Sequence, residues 1–150
     1  MSLVESAIRT VHLVFAAAWV GGVLFVTLAV LPLAREAELD PDPVSAMTGR
    51  LVWISRISAL VLLLTGGHMA AAGYTADGLL ETTAGNLVLG MVVLWLGLAG
   101  LVEVASSRMR EQLDQGYLRE PARDYLPWFR VASLVGIALL VDAGAITYVG

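Results

Sequence analysis

Four stretches of the chain are apolar for long enough to cross a lipid bilayer. They cover roughly residues 6–33, 51–73, 87–105 and 126–149, and each satisfies the need of a transmembrane helix for about 20 mostly apolar residues. The polar positions gather between them into three connections. The first holds Asp40-Pro-Asp-Pro-Val-Ser45, which predicts a break in any helix because proline lacks a donor and pushes the preceding residue toward extended backbone. Ser45 or Thr48 is then the expected cap of the second helix. In the second connection Asp77-Gly78 predicts a turn and Asn86 a cap. The third runs from Ser107 to Asp124, with Arg108-Met-Arg-Glu-Gln-Leu-Asp114 extending the third helix past the bilayer surface and Pro121 and Pro127 bracketing the start of the fourth. The pattern predicts an all-α integral membrane protein, a four-transmembrane-helix antiparallel bundle forming a single domain over residues 1–150.

Composition strengthens this reading. With 58% hydrophobic and 15% charged residues and a mean hydropathy of +0.79, the chain carries more apolar side chain than a soluble domain of this length buries. Arg9 ahead of Ala16, Ala17 and Ala18 gives the first stretch the look of a signal peptide, but its length and Glu5 favour a retained helix. Cysteine is absent, which excludes disulfides, thiolate metal sites and cysteine nucleophiles.

Charge sets orientation. All nine basic residues are arginine, and a net charge of -4 without a basic patch excludes a nucleic-acid partner. Arg35 and Arg50 flank the first connection and Arg108, Arg110, Arg119 and Arg123 lie in the third, whereas the second holds Asp77 and Glu81 and no base. By the positive-inside rule the first and third connections face the cytoplasm and both termini face outward, in a multi-pass protein of the cell membrane.

Depth then brings the few polar intramembrane residues together. Helices rise 1.5 Å per residue and alternate in direction, so His12 and His68 each fall roughly two turns below the outer surface, a level that Met91 reaches on the third helix and Asp142 on the fourth. A lone histidine in a membrane helix commonly just bonds a neighbouring helix. Two at one depth point to a functional layer, because ionisable residues inside a membrane are expensive and tend to face functional interiors. Two neutral imidazoles can ligate haem iron axially or bind copper, with the Met91 thioether suiting the cuprous state. Asp142 is then a partner that fixes a histidine's tautomer. Met91 has core filling as its simpler role. Gly21-Gly22 after Trp19, and Gly66-Gly67 before His68, leave room for a macrocycle or allow close helix packing. Arg9, one turn before His12, is the candidate for haem propionates. A second polar layer of Arg56, Glu103 and Arg130 near the cytoplasmic boundary reads as an ion-pair clasp. Trp53 and Trp128 read as interface anchors.

These residues carry a family resemblance. His12-Leu-Val-Phe-Ala-Ala-Ala-Trp19-Val-Gly21-Gly22 followed by Leu31-Pro32 resembles the first helix of the CopD-like (copper resistance D) membrane domain and, more distantly, of HemJ-type protoporphyrinogen oxidases. Arg50-Leu-Val-Trp-Ile-Ser-Arg-Ile-Ser with Thr65-Gly66-Gly67 is similar to their second helix, Gly85-Asn-Leu-Val-Leu-Gly-Met91 to the third and Trp128-Phe-Arg130-Val131 to the fourth. The resemblance implies copper uptake or resistance in the first case, and haem b bound through His12 with protoporphyrinogen oxidation in the second. HemJ-type activity is disfavoured, since these families often carry a lysine near the outer end of the third helix where this chain has Asn86, Gly90 and Met91. The expectation is a CopD-like protein binding haem b between its first two helices for electron transfer or redox sensing, with His12 and His68 as ligands and Arg9, Trp19, Gly22 and Gly67 around the group. A redox partner or quinone and a homo-oligomer accompany that expectation. The alternatives are copper handling through His12, His68 and Met91, and a structural subunit without a cofactor.

Overall fold

The computed structural model describes residues 2–149. Six helices, α1 (Leu3–Phe25), α2 (Leu31–Arg35), α3 (Pro41–Gly73), α4 (Ala76–Glu81), α5 (Thr83–Asp114) and α6 (Arg119–Val149), are joined by a π-helical turn over Val26–Val30. The π turn makes α1 and α2 one continuous span, so four helices are long and apolar enough to cross a membrane: Leu3–Arg35, Pro41–Gly73, Thr83–Asp114 and Arg119–Val149. They form an antiparallel bundle in which α1 packs on α3 and α6, α3 on α5, and α5 on α6. We call the end carrying Ser2 and Val149 the terminal end and the opposite end the loop end.

The helices outrun the expected stretches because their polar ends are capped or proline-tolerant. Asp40-Pro-Asp-Pro does not stop a helix but starts one, with Asp40 extended and Pro41 at the first helical position, where a missing N–H costs nothing. Neither Ser45 nor Thr48 caps it: both are buried inside α3, and Ser45 donates to Asp114 Oδ1 of α5 at 2.7 Å. Thr82, not Asn86, caps α5 by accepting from Gly85 N at 3.0 Å. Asp77-Gly78 lies within the short α4, whose cap is Thr75. Pro121 sits in the first turn of α6 and Pro127 inside it.

A span of 33 residues is about 50 Å long at 1.5 Å per residue, well beyond a hydrocarbon core of about 30 Å. Taking the Gly73 end of α3 as one bilayer face, a run of about 20 residues reaches the opposite face near Ile54. Just inside that level Arg56 of α3 and Glu103 of α5 form a two-pronged ion pair, with Arg56 Nε donating to Glu103 Oε2 at 3.1 Å. Both side chains are exposed, 58% and 44%, so mutual neutralisation is what makes them tolerable at the lipid boundary. Arg130 of the expected clasp is not part of it and stands exposed on α6.

Packing is uneven along the bundle. The core runs through Trp19, Val23, Leu31, Leu51, Leu98, Met109, Leu126 and Phe129, all toward the loop end. Past Trp19, Leu62, Leu98 and Gly136 toward the terminal end, Ala84 and Gly85 are the only buried residues among those described. Gly85 is obligatory there, since a side chain would run into the backbone of Gly78 and Leu79 in α4.

The π turn is tied to α6 by hydroxyl groups. Leu31 N–H reaches back five residues to Val26 O, while Ser133 donates to Thr27 Oγ1 at 2.9 Å and Thr27 donates to Val23 O at 2.8 Å. Interhelical bonds of this kind average about 0.6 kcal/mol in membranes, and Ser133 retains Phe129 O at 2.9 Å as a second acceptor. Thr27→Val should consequently cost no more than about 1 kcal/mol in SDS-induced unfolding from mixed micelles. A loss several times larger would mean that the π turn itself depends on the hydroxyl.

Candidate functional site

Two helical stripes face each other at the terminal end. Glu5, Ile8, Arg9 and His12 follow the three- and four-residue spacing of one face of α1, and Thr65, His68, Met69, Ala72 and Gly73 do the same on α3. A cleft of about 160 Å³ lies between them, lined by Glu5, Ile8, Arg9, His68, Met69 and Gly73 among others.

His12 lies beneath this lining, against Thr65 and Gly66, about one turn along α3 from His68. Its Nδ1 is 2.7 Å from Thr65 Oγ1, and Thr65 already donates its only hydrogen to Val61 O at 2.7 Å. The threonine oxygen must therefore accept, which puts the imidazole proton on Nδ1 and leaves the Nε2 lone pair free. This is how a metal-binding histidine is usually oriented. Gly66 permits the approach: a β-carbon there would lie 3.2 Å from His12 Cε1. The ring thus rests directly against the α3 backbone. His68 and Arg9 are exposed on the cleft walls and Met69 is half-buried.

The remaining sequence-derived candidates lie elsewhere. Trp19 is fully buried in the loop-end core, with its indole Nε1 lacking a hydrogen-bond partner. A β-carbon on Gly22 would meet Leu51 Cδ1 at 3.2 Å, ten residues of α1 away from His12. Gly67 faces open space. Met91 is half-buried on α5, whose principal partners α3, α4 and α6 do not include α1. Asp142 does not orient a histidine. Its Oδ2 sits over Gly90 of α5, 3.6 Å from where a β-carbon would stand, and its Oδ1 is buried without a partner; Thr65 takes the orienting role instead. Azimuth, not depth, separates Met91 on α5 and Asp142 on α6 from the α1–α3 seam.

Met69 and Thr65 escaped the sequence reading. Their signal is present: Thr65 and Met69 are four residues apart and flank His68 on one face of α3. Among the described residues no group of three histidine, cysteine or carboxylate side chains could hold a metal, and Met69 adds a thioether to the cleft lining beside His68.

A family model described as Copper resistance protein D (CopD) matches residues 45–146, more than half of the chain. The chain belongs to the CopD family. No curated protein matches it, and no solved structure does. The CopD match takes in α4, α5 and most of α3 and α6, with Thr65, His68 and Met69, while α1 with His12 lies outside it. The cleft thus joins a wall from the matched region to a wall from the first span.

Proposed function

We propose that this CopD-family membrane protein handles copper, with the ion as cargo bound at the floor of the α1–α3 cleft by His12, His68 and Met69. The observation that carries the reading is the His12–Thr65 hydrogen bond, which leaves Nε2 free on a histidine next to the cleft that His68 and Met69 line. Imidazole and thioether together suit cuprous copper, whereas the absence of cysteine and, among the described residues, of a carboxylate cluster disfavours thiolate-bound or harder ions. With Arg35, Arg50, Arg108, Arg110, Arg119 and Arg123 at the loop end, the positive-inside rule places the cleft on the outer face. Copper would therefore meet the protein from outside.

Haem b held by His12 and His68, serving electron transfer, is the second reading, favoured by the exposure of His68 and the sparse packing around it. The residues fit it less well. A cleft of about 160 Å³ is below the range of about 300–1,000 Å³ usual for small-molecule sites, and the His12 ring already rests on α3.

Cuprous titration of the purified protein against a chromophoric chelator, with an absorption spectrum on the same sample, tests both. The expected result is one tightly held Cu(I) per chain and no Soret band. Low-spin haem bands without copper binding would overturn the copper reading in favour of haem, and neither signal would leave the histidines as helix-bonding groups.

A further inference from the structure

A second cleft lies at the loop end, between the first span and α3, and nothing in the copper reading uses it. It has a volume of about 150 Å³ and is lined by Gly22, Phe25, Val26, Leu51 and Ile54, with Arg50 at its edge. Gly22 contributes no side chain, and the π turn that starts at Val26 carries the groove along the helix. Every lining group except Arg50 is apolar.

The position of Arg50 tells what would fill the groove. Arg50 is four residues outside the bilayer boundary near Ile54, about one turn, which is headgroup level. It is exposed and belongs to neither of the ion pairs among the described residues, Arg56–Glu103 and Arg123–Asp124. The neighbouring polar contacts point away from it, since Ser45 bonds Asp114 and Gly49 faces the Arg110 guanidinium of α5. Below Arg50 the groove opens sideways to the hydrocarbon through Phe25 and Ile54, which are 62% and 41% exposed. An apolar slot continuous with lipid and closed at headgroup height by one uncompensated arginine matches one molecule, with a long acyl chain and an anionic head.

We propose that this groove binds an anionic phospholipid, the acyl chain lying along Gly22, Val26 and Leu51 and the phosphate held by Arg50. The guanidinium fork suits phosphate oxygens. The site is independent of copper.

Native mass spectrometry of the full chain released from nanodiscs of equal phosphatidylglycerol and phosphatidylcholine, with identical acyl chains, tests it. One retained phosphatidylglycerol per chain is expected, favoured over phosphatidylcholine by about five-fold, the factor that one arginine near a membrane surface supplies. Arg50→Gln, an exposed change that leaves the core intact, should bring the preference close to one. Ile54→Trp, which fills the slot, should lower retention of both lipids. Equal retention of the two lipids by the wild type, or a preference unmoved by Arg50→Gln, overturns the proposal. Loss of preference in Arg50→Gln with full retention in Ile54→Trp overturns the groove as its seat, and a lipid-free dimer would show that a second copy occupies it.

Discussion

Replacing Trp19 by alanine should destabilise the bundle by about 3–5 kcal/mol, while Trp19→Phe should cost far less. Trp19 is wholly buried where α1 meets the rest of the core, and an indole-sized void there cannot be filled by lipid chains from outside. In a bilayer the apolar surroundings offer no hydrophobic drive between helices, so dispersion contacts carry the association. Their loss is the whole cost. Phenylalanine keeps most of that contact and deletes an Nε1 donor that has no partner, relieving a burial penalty of about 1–3 kcal/mol. SDS-induced unfolding of the two variants in mixed micelles separates the effects. Equal losses for alanine and phenylalanine would show that the indole N–H is bonded.

The second large effect belongs to the cleft. His12→Ala combined with His68→Ala should abolish measurable Cu(I) binding, and Thr65→Val alone should weaken it by about 10–100-fold, the usual cost of removing a group that orients a metal-bound histidine. Thr65→Ser should stay near the wild type, because serine can still donate to Val61 O and accept from His12. Chelator competition across the wild type, these three variants and His68→Ala alone gives the comparison. If Thr65→Val binds copper normally while His68→Ala does not, His12 is no ligand and the site belongs to α3.

Much of this fold was legible in the chain. Four apolar runs give four spans, and the Arg108–Asp114 run is helical as the last part of α5. Proline was the misleading signal. Its lack of a donor ends a helix but also suits a first turn, and Pro41 and Pro121 both take that second role. The π turn at Val26–Val30 could not be read at all, since nothing in Val-Thr-Leu-Ala-Val distinguishes five-residue from four-residue bonding before the Thr27–Ser133 contact exists. At the site, rise per residue placed His12 and His68 within one turn of each other, and rise is a one-dimensional quantity. Helix rotation and ring order decide who meets whom, so Thr65 and Met69 entered the seam and Asp142 and Met91 were turned elsewhere.

The uneven core has a mechanical consequence. Around Trp19 and Phe129 the helices are riveted together, whereas at the other end, among the described residues, the first span and α3 share one side-chain hydrogen bond, His12 to Thr65. The bundle therefore resembles tongs, stiff at the pivot and compliant at the tips. Spreading the tips sacrifices little buried surface and costs correspondingly little free energy, so a guest can be gripped or released without any unfolding. A bridging ion would lock the jaws, and its departure would free them.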